Sequence, residues 1–298
     1  MIPRFPEFKS VELGDKASVD SYTERYGTYS DFEFGSLWAW NVGDDVELSE
    51  LNENLVIRFA DYQTGEPFLM FIGNHSLDET ADELIAESKR RGYGDALHLI
   101  PEVSAQLDSS RFLVQEVRDH FDYVYELSAF MGYAGAAFKS QRNFLNGFRN
   151  KHPNHQIVLL DLSDPEARTS LLSLFARWEG QKDRREEHER LALTRFVEAG
   201  AEFRYLALGV YVDTLLVAFS ICDLLPGTQA NALFGKTDTS YHGIGAYMMH
   251  ELAKELADRG YTHLNYQQDL GIEGLRKSKT AFRPVHFLKK YTVKSAVY

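Results

Sequence analysis

Between Arg204 and Gln267 the residues alternate in a way that few folds can accommodate. Arg204 to Tyr211 and Leu215 to Leu224 read as two strands joined at Val212-Asp213-Thr214, and Pro226-Gly227 turns the chain into a third at Ala230 to Lys236. Ile244, Met248, Leu252 and Leu256 then recur at every fourth position, which gives a helix from Ile244 to Arg259 one apolar stripe and so one buried face. Gly260 ends that helix, and Thr262 to Gln267 reads as a further strand. This order predicts an α/β (α+β) architecture with a mixed central sheet flanked by helices.

The earlier part of the chain repeats the order more faintly. Leu55 to Tyr62 and Pro67 to Gly73 form a hairpin around Gln63-Thr64-Gly65-Glu66, Leu77 to Arg91 is a helix stopped by Gly92, and Ala96 to Ile100 is a strand. Arg-Gly-Tyr ends both helices (Arg91-Gly92-Tyr93, Arg259-Gly260-Tyr261) and His-Leu sits in both following strands (His98-Leu99, His263-Leu264), at offsets of 168 and 165 residues. Duplication would leave such an echo, and 298 residues exceed the usual size of one domain. The expected division is two tandem domains, 1–138 and 139–298, the first degenerate.

The remaining segments are read more coarsely. Helices are expected at 17–27, Lys139 to Asn150, Pro165 to Gly180 and, charge-dense, Gln181 to Glu198. Strands are expected at Phe32 to Trp40, an aromatic run, and at Tyr123 to Leu127, Gln156 to Leu162 and Val285 to Val293, the last after a short helix.

Cys222 is the only cysteine, which excludes an internal disulfide and a multi-thiolate zinc site. Met1 to Asp15 has no apolar secretory segment, and Asp213 interrupts the one long apolar stretch, so a cytoplasmic protein without integral membrane contact is expected. His152 and His155 flank Pro153-Asn154, and His250-Glu251 lacks a second helical His, so no metal site is expected. A net charge of −12 argues against nonspecific nucleic-acid binding. The cations are nevertheless segregated: Lys139 to Leu160 and Gly274 to Tyr298 together carry +11 over 47 residues without one acid, leaving −23 on the other 251. Such segregation suits either a local anion site or solvated helix faces.

The two repeated helices differ at their tips. The first opens Ser76-Leu77-Asp78-Glu79, a capping-box pattern with two carboxylates in its first turn, which would repel phosphate. The second opens Tyr241-His242-Gly243-Ile244-Gly245-Ala246 with no acid, so its backbone N–H groups are expected to receive an anion. Asp269, after the strand Thr262 to Gln267, suits a general base, an amine anchor or a helix N-cap. Tyr266 suits an acid or oxyanion donor, or a core position.

The stretch Ser240-Tyr-His-Gly243-Ile-Gly245 resembles the pyrophosphate loop of the GNAT acyltransferase superfamily, R/Q-x-x-G-x-G/A, with Ser240 where Arg or Gln is usual. A closer resemblance is to the lysylphosphatidylglycerol synthase C-terminal domain family, including its soluble members of unassigned activity. It is carried by Lys139-Ser-Gln-Arg142-Asn143-Phe144-Leu-Asn146-Gly-Phe148, by Asn265 to Lys279, and by Phe282-Arg283-Pro284. The resemblance implies a tandem GNAT-like fold and aminoacyl transfer from aminoacyl-tRNA; the family's characterised members act on a lipid head group and carry transmembrane helices, which this sequence lacks. On this reading Gly243, Ile244 and Gly245 with Arg276 and Lys279 take the donor's phosphates, Asp269 and Tyr266 are catalytic, and Arg142, Asn143 and Asn265 hold substrate. The expected co-substrate is aminoacyl-tRNA or acyl-CoA, with no tightly bound cofactor, and the acceptor is a small molecule or peptide. The alternative is a non-catalytic anion- or nucleotide-binding regulatory protein.

Overall fold

The computed structural model describes residues 1–181 and 187–296. In chain order the first elements are β1 (Lys9–Ser10), α1 (Lys16–Tyr26), α2 (Phe34–Trp40), β2 (Glu47–Leu51), β3 (Asn54–Ala60), β4 (Pro67–Ile72), α3 (Leu77–Arg91), β5 (Ala96–Pro101), β6 (Phe112–Glu116) and β7 (Asp122–Glu126). After α4 (Ser128–Gly132), α5 (Lys139–Lys151) and β8 (Gln156–Leu159) come α6 (Pro165–Glu179), α7 (Glu187–Glu198), β9 (Tyr205–Val212), β10 (Leu215–Asp223) and β11 (Gln229–Thr237). The chain closes with α8 (Ile244–Asp258), β12 (His263–Asn265), α9 (Glu273–Ala281), β13 (His286–Leu288) and β14 (Lys290–Ser295). The architecture is mixed α/β, with sheets flanked by helices.

Two compact units form, and neither is one continuous run of sequence. The first is Met1–Tyr123 with Gln268–Ser278 and Phe287–Tyr298; the second is Val124–Gln267 with Lys279–His286. The first contains a four-stranded sheet, β1-β2-β3-β4, and a three-stranded sheet, β5-β14-β6, whose middle strand is thus supplied by the C-terminus. The second is built on the seven-stranded sheet ordered β13-β7-β12-β11-β10-β9-β8. Within it β9, β10 and β11 form an antiparallel meander and β12 joins β11 in parallel. That parallel pairing follows from the crossover through α8.

Helix α8 buries its predicted stripe and more: Tyr247, Met249 and Ala253 are buried beside Ile244, Met248, Leu252 and Leu256. It is covered by α4 and α5 as well as by the sheet. Truncating a fully buried residue such as Leu252 to Ala would cost about 2–5 kcal/mol.

In the first unit the core also holds charge. Lys290 is fully buried, ion-paired with Asp31 and, at 2.6 Å, with Asp122, and within 3.3 Å of Ser30 Oγ and 3.2 Å of Gln268 Oε1. Tyr62 donates to Asp31 at 2.9 Å, while Ser30 donates its N–H and O–H to Asp122 at 2.9 and 2.8 Å. Burial alone would lower the Lys290 pKa; the Asp122 and Asp31 carboxylates outweigh it and raise the pKa above the usual value.

Several expectations need correction. Phe32 to Trp40 is no strand: Phe34–Trp40 is a helix, with Phe34, Gly35, Ser36, Leu37 and Ala39 all buried. Aromatic β-propensity yields there to enclosure on every side. Val285 to Val293 is two short strands, His286–Leu288 and Lys290–Ser295. Ser76 takes a left-handed backbone, φ 39°, and makes no side-chain capping bond. The α3 tip stays acidic, with Asp78 held 3.1 Å from Arg111 and accepting the Asp108 N–H at 3.0 Å. Of the helix expected from Gln181 to Glu198, α7 is present from Glu187; residues 182–186 lie outside the described ones.

Candidate active site

The second unit opens where β12 leaves β11. The two strands are paired between Gln229–Asn231 and His263–Asn265; β11 then runs on to Thr237, bonded among the described residues to β10 on one side alone. Six residues at about 3.3 Å each leave some 20 Å of free strand edge. At its far end, Asp238 Oδ1 accepts Ser240 N–H at 3.1 Å and Ser240 O–H at 2.6 Å, a turn that delivers the chain to α8.

The tip of α8 is open, and its two glycines serve different ends. Gly243 sits at φ 88°, and a methyl there would collide with the Phe144 carbonyl of α5, so this glycine is demanded by packing. Gly245 has no neighbour that a methyl would touch. The Ile244 N–H is used by Tyr241 O at 3.1 Å, and Tyr247 N–H by Gly243 O. No side chain caps the helix, and the Gly245 and Ala246 N–H groups meet no acceptor among the described residues. Two such donors at the positive end of a fifteen-residue helix have the chemistry suited to an anion.

At the near end of the free edge stands a residue that the sequence reading did not single out. Asn231 is fully buried, yet neither Oδ1 nor Nδ2 has a hydrogen-bond partner. Its register partners are Asp223 on β10 and Asn265 on β12, so three polar side chains share one sheet face across neighbouring strands. An unpaired buried amide costs about 1–3 kcal/mol, which a ligand at the fork would offset. The available signal was an Asn in the interior of the otherwise apolar run Ala230 to Phe234.

Asn265 directs its Oδ1 to the Gln267 N–H at 2.8 Å, which fixes the bend after β12. Tyr266 follows; burial pushes its phenol up to about 12, so it stays protonated at neutral pH. Lys279 is buried and donates to the Tyr266 carbonyl at 2.6 Å. Cys222 is fully buried and burial raises its pKa to about 12, which makes it an inert thiol. Arg142 donates to the carbonyls of Tyr133 and, at 2.6 Å, Gly135, while Asn143 is exposed.

Asp269 and Arg276 belong to the first unit, where they bind each other. Arg276 Nε and Nη2 reach Asp269 at 2.9 and 2.7 Å, and Nη2 also reaches Asp119 at 2.6 Å. Asp269 further accepts from Tyr123 O–H at 2.5 Å, Gly271 N–H at 2.9 Å and Arg118 at 3.3 Å. Burial would raise its pKa; the bonds from Arg276, Tyr123 and Gly271 outweigh that and hold it below the usual value. With both oxygens so engaged, Asp269 acts as an anchor for the segment 269–276 rather than as a proton acceptor. Arg276 and Lys279 do not act together as the helical spacing suggested.

The C-terminal run of cations is likewise spent internally. Arg276, Lys289, Lys290 and Lys294 pair with Asp119, Glu116, Asp122 and Asp95, and Lys279 and Arg283 bond carbonyls; Lys277 alone of the seven has no partner among the described residues. Charge segregated along the sequence is thereby neutralised in space. No three His, Cys, Asp or Glu among the described residues are placed to hold a metal, and none of their helices is long and apolar enough to cross a membrane.

The family described as phosphatidylglycerol lysyltransferase, C-terminal, matches residues 23–294. A conserved protein of unknown function from Bacteroides thetaiotaomicron VPI-5482 has a similar structure, with TM-score 0.83, 25% identity and coverage of 99% of this chain and 100% of that one. The C-terminal domain of a protein described as a lysylphosphatidylglycerol synthetase, from Agrobacterium fabrum, follows with TM-score 0.62, 13% identity and 94% and 92% coverage. L-PGS from Bacillus licheniformis gives 0.61, 13%, and 99% and 93%. At 13% identity these last two establish a shared fold. No curated protein matches the chain.

Proposed function

Because the chain belongs to the phosphatidylglycerol lysyltransferase, C-terminal, family, we propose that it is an acyl- or aminoacyltransferase whose donor lies extended along the free edge of β11. The donor's phosphates sit on the Gly245 and Ala246 N–H groups, and its reactive carbonyl lies near Asn231, about 20 Å away along the strand. The observation that carries this reading is the buried, unpartnered Asn231 amide at the point where β12 departs.

The reaction is nucleophilic substitution at the carbonyl. An acceptor amine or hydroxyl attacks the carbonyl carbon, a C–N or C–O bond forms, and the bond to the ester oxygen of an aminoacyl-tRNA or the thioester sulfur of an acyl-CoA breaks. The nucleophile's proton leaves with the released donor or to solvent. Asn231 Nδ2 is the donor suited to the developing oxyanion, whereas the Tyr266 ring packs against Tyr125 at 5.9 Å on the other face of the sheet. The acceptor is a small molecule or peptide.

Purified protein incubated with aminoacyl-tRNA or acetyl-CoA labelled in the acyl group tests the proposal. Loss of label from one donor, only when an amine or peptide acceptor is present, is the expected result; tight donor binding without turnover would instead make this a binding protein. Steep loss of donor affinity with salt would select tRNA, which presents many phosphates, over the single pyrophosphate of CoA.

A further inference from the structure

The first unit has its own strand–helix–strand arrangement, β4, α3 and β5, in the same order as β11, α8 and β12. Here the two strands are not paired: β4 ends one sheet and β5 edges another, with no ladder between them. Between them is a cavity of about 180 Å³, lined by Asp61, Tyr62, Glu66, Phe68, His98 and His120 among others.

The lining contains two carboxylates and no Lys or Arg. Asp61 is oriented by its own turn: Oδ1 accepts from Gln63 N–H at 2.9 Å, Thr64 N–H at 2.8 Å and Thr64 O–H at 3.1 Å. Its Oδ2 has no partner among the described residues. Burial alone would raise the Asp61 pKa, and the Thr64 and Gln63 bonds outweigh it, so the group is ionised at neutral pH. Burial lowers the pKa of both imidazoles, so His98 and His120 are neutral there and each keeps a ring nitrogen as acceptor. Behind the wall, Tyr62 donates to Asp31, part of the cluster in which two buried carboxylates face one ammonium. The field within the cavity is therefore negative, and its hydrogen-bonding groups are mostly acceptors. Phe68, edge to face with His98 at 5.4 Å, supplies an apolar wall.

We propose that this cavity binds a small primary ammonium compound, its N–H groups directed to Asp61 Oδ2, Glu66 and an imidazole nitrogen, with its alkyl stem against Phe68 and Tyr62. An anion would meet like charge, and a neutral apolar guest would desolvate carboxylates without compensating them. A volume of 180 Å³ corresponds to about six waters and admits an unbranched amine of about five carbons. The site goes beyond the transfer chemistry assigned to the fork in the second unit and does not depend on it.

Calorimetric titration of the full chain with n-pentylamine and with 1-pentanol, which differ only in the head group, tests the proposal. The amine is expected to bind at least about tenfold tighter, the value of one charge-assisted hydrogen bond. Its addition should shift the ring resonances of His98 and His120. Glu66→Gln and the double variant D61N/E66Q, which retain the turn's acceptors, should weaken amine binding by about tenfold while keeping the wild-type melting temperature. Equal binding of amine and alcohol, absence of amine binding, or unchanged binding in D61N/E66Q would each overturn it; E66Q separates loss of charge from any misfolding of the turn.

Discussion

Lys290 and Asp122 meet at 2.6 Å with both side chains fully buried, 168 residues apart in the chain. Asp31 is the second buried carboxylate on the same ammonium. Removing the cation would leave two uncompensated charges in the core of the first unit. Lys290→Met is therefore expected to cost about 3–5 kcal/mol in urea unfolding. D31N/K290M should recover part of that loss, because Asp122 keeps its two bonds from Ser30. The pH dependence follows from the raised Lys290 pKa: the stabilisation is complete below the unfolded-state value of about 10.4 and is lost as pH rises through the higher folded value. Alkaline unfolding curves should show this loss in the wild type and not in K290M.

The two glycines of the α8 tip should respond oppositely. Gly243→Ala forces a methyl against the Phe144 carbonyl in a positive-φ position and should lower the melting temperature markedly. Gly245→Ala meets open space and should raise helix stability by up to about 1 kcal/mol. Gly245→Asp adds a favourable charge to the helix dipole, so stability should hold or rise while donor binding falls; unchanged binding in G245D would remove the phosphate seat from the mechanism.

Asn231→Leu keeps the branched shape of the side chain without its polar atoms. Eliminating an unsatisfied buried amide should raise stability by about 1 kcal/mol, and transfer activity should fall. A variant that is less stable and equally active would show the amide to be structural. Chemical unfolding and label-transfer rates on the same preparation give both readouts.

Asp269→Asn should destabilise the first unit without a specific effect on the transfer step, because the carboxylate anchors Arg276, Tyr123 and Gly271 N–H. Breaking this buried clamp is expected to cost about 3 kcal/mol. Its pKa is depressed in the folded state, so its contribution is present above the unfolded carboxylate value and is lost as pH falls through the folded one. Acid unfolding of D269N should accordingly be less pH-dependent than that of the wild type.

Tyr266 should stay protonated through the working pH range. With its phenol pushed up to about 12, the pH–rate profile is expected to show no tyrosine ionisation between about 9 and 11. Tyr266→Phe should leave the rate and the melting temperature near wild type, since its ring packs against Tyr125 on the sheet face away from Asn231; an inflection near pH 10 that disappears in Y266F would instead make Tyr266 a base.

The sequence by itself determined the elements whose patterns are local. The stripe Ile244, Met248, Leu252 and Leu256 fixed α8, the turn at Gln63 to Glu66 fixed the β3–β4 hairpin, and both repeated helices end at their Arg-Gly-Tyr signals. Helical and strand periodicity depend on neighbours a few residues away, and such information is written in the chain. Tertiary structure alone decided the partners. It turned an aromatic strand-like run into the enclosed helix α2 and drew β14 from the C-terminus into the middle of a first-unit sheet. It also consumed the cationic C-terminus in pairs with Asp119, Glu116, Asp122 and Asp95, and left the Asn231 amide without one. Electrostatic pairing and burial act through space between residues remote in sequence, so which cation is spent and which amide is left open is settled only when the chain has folded.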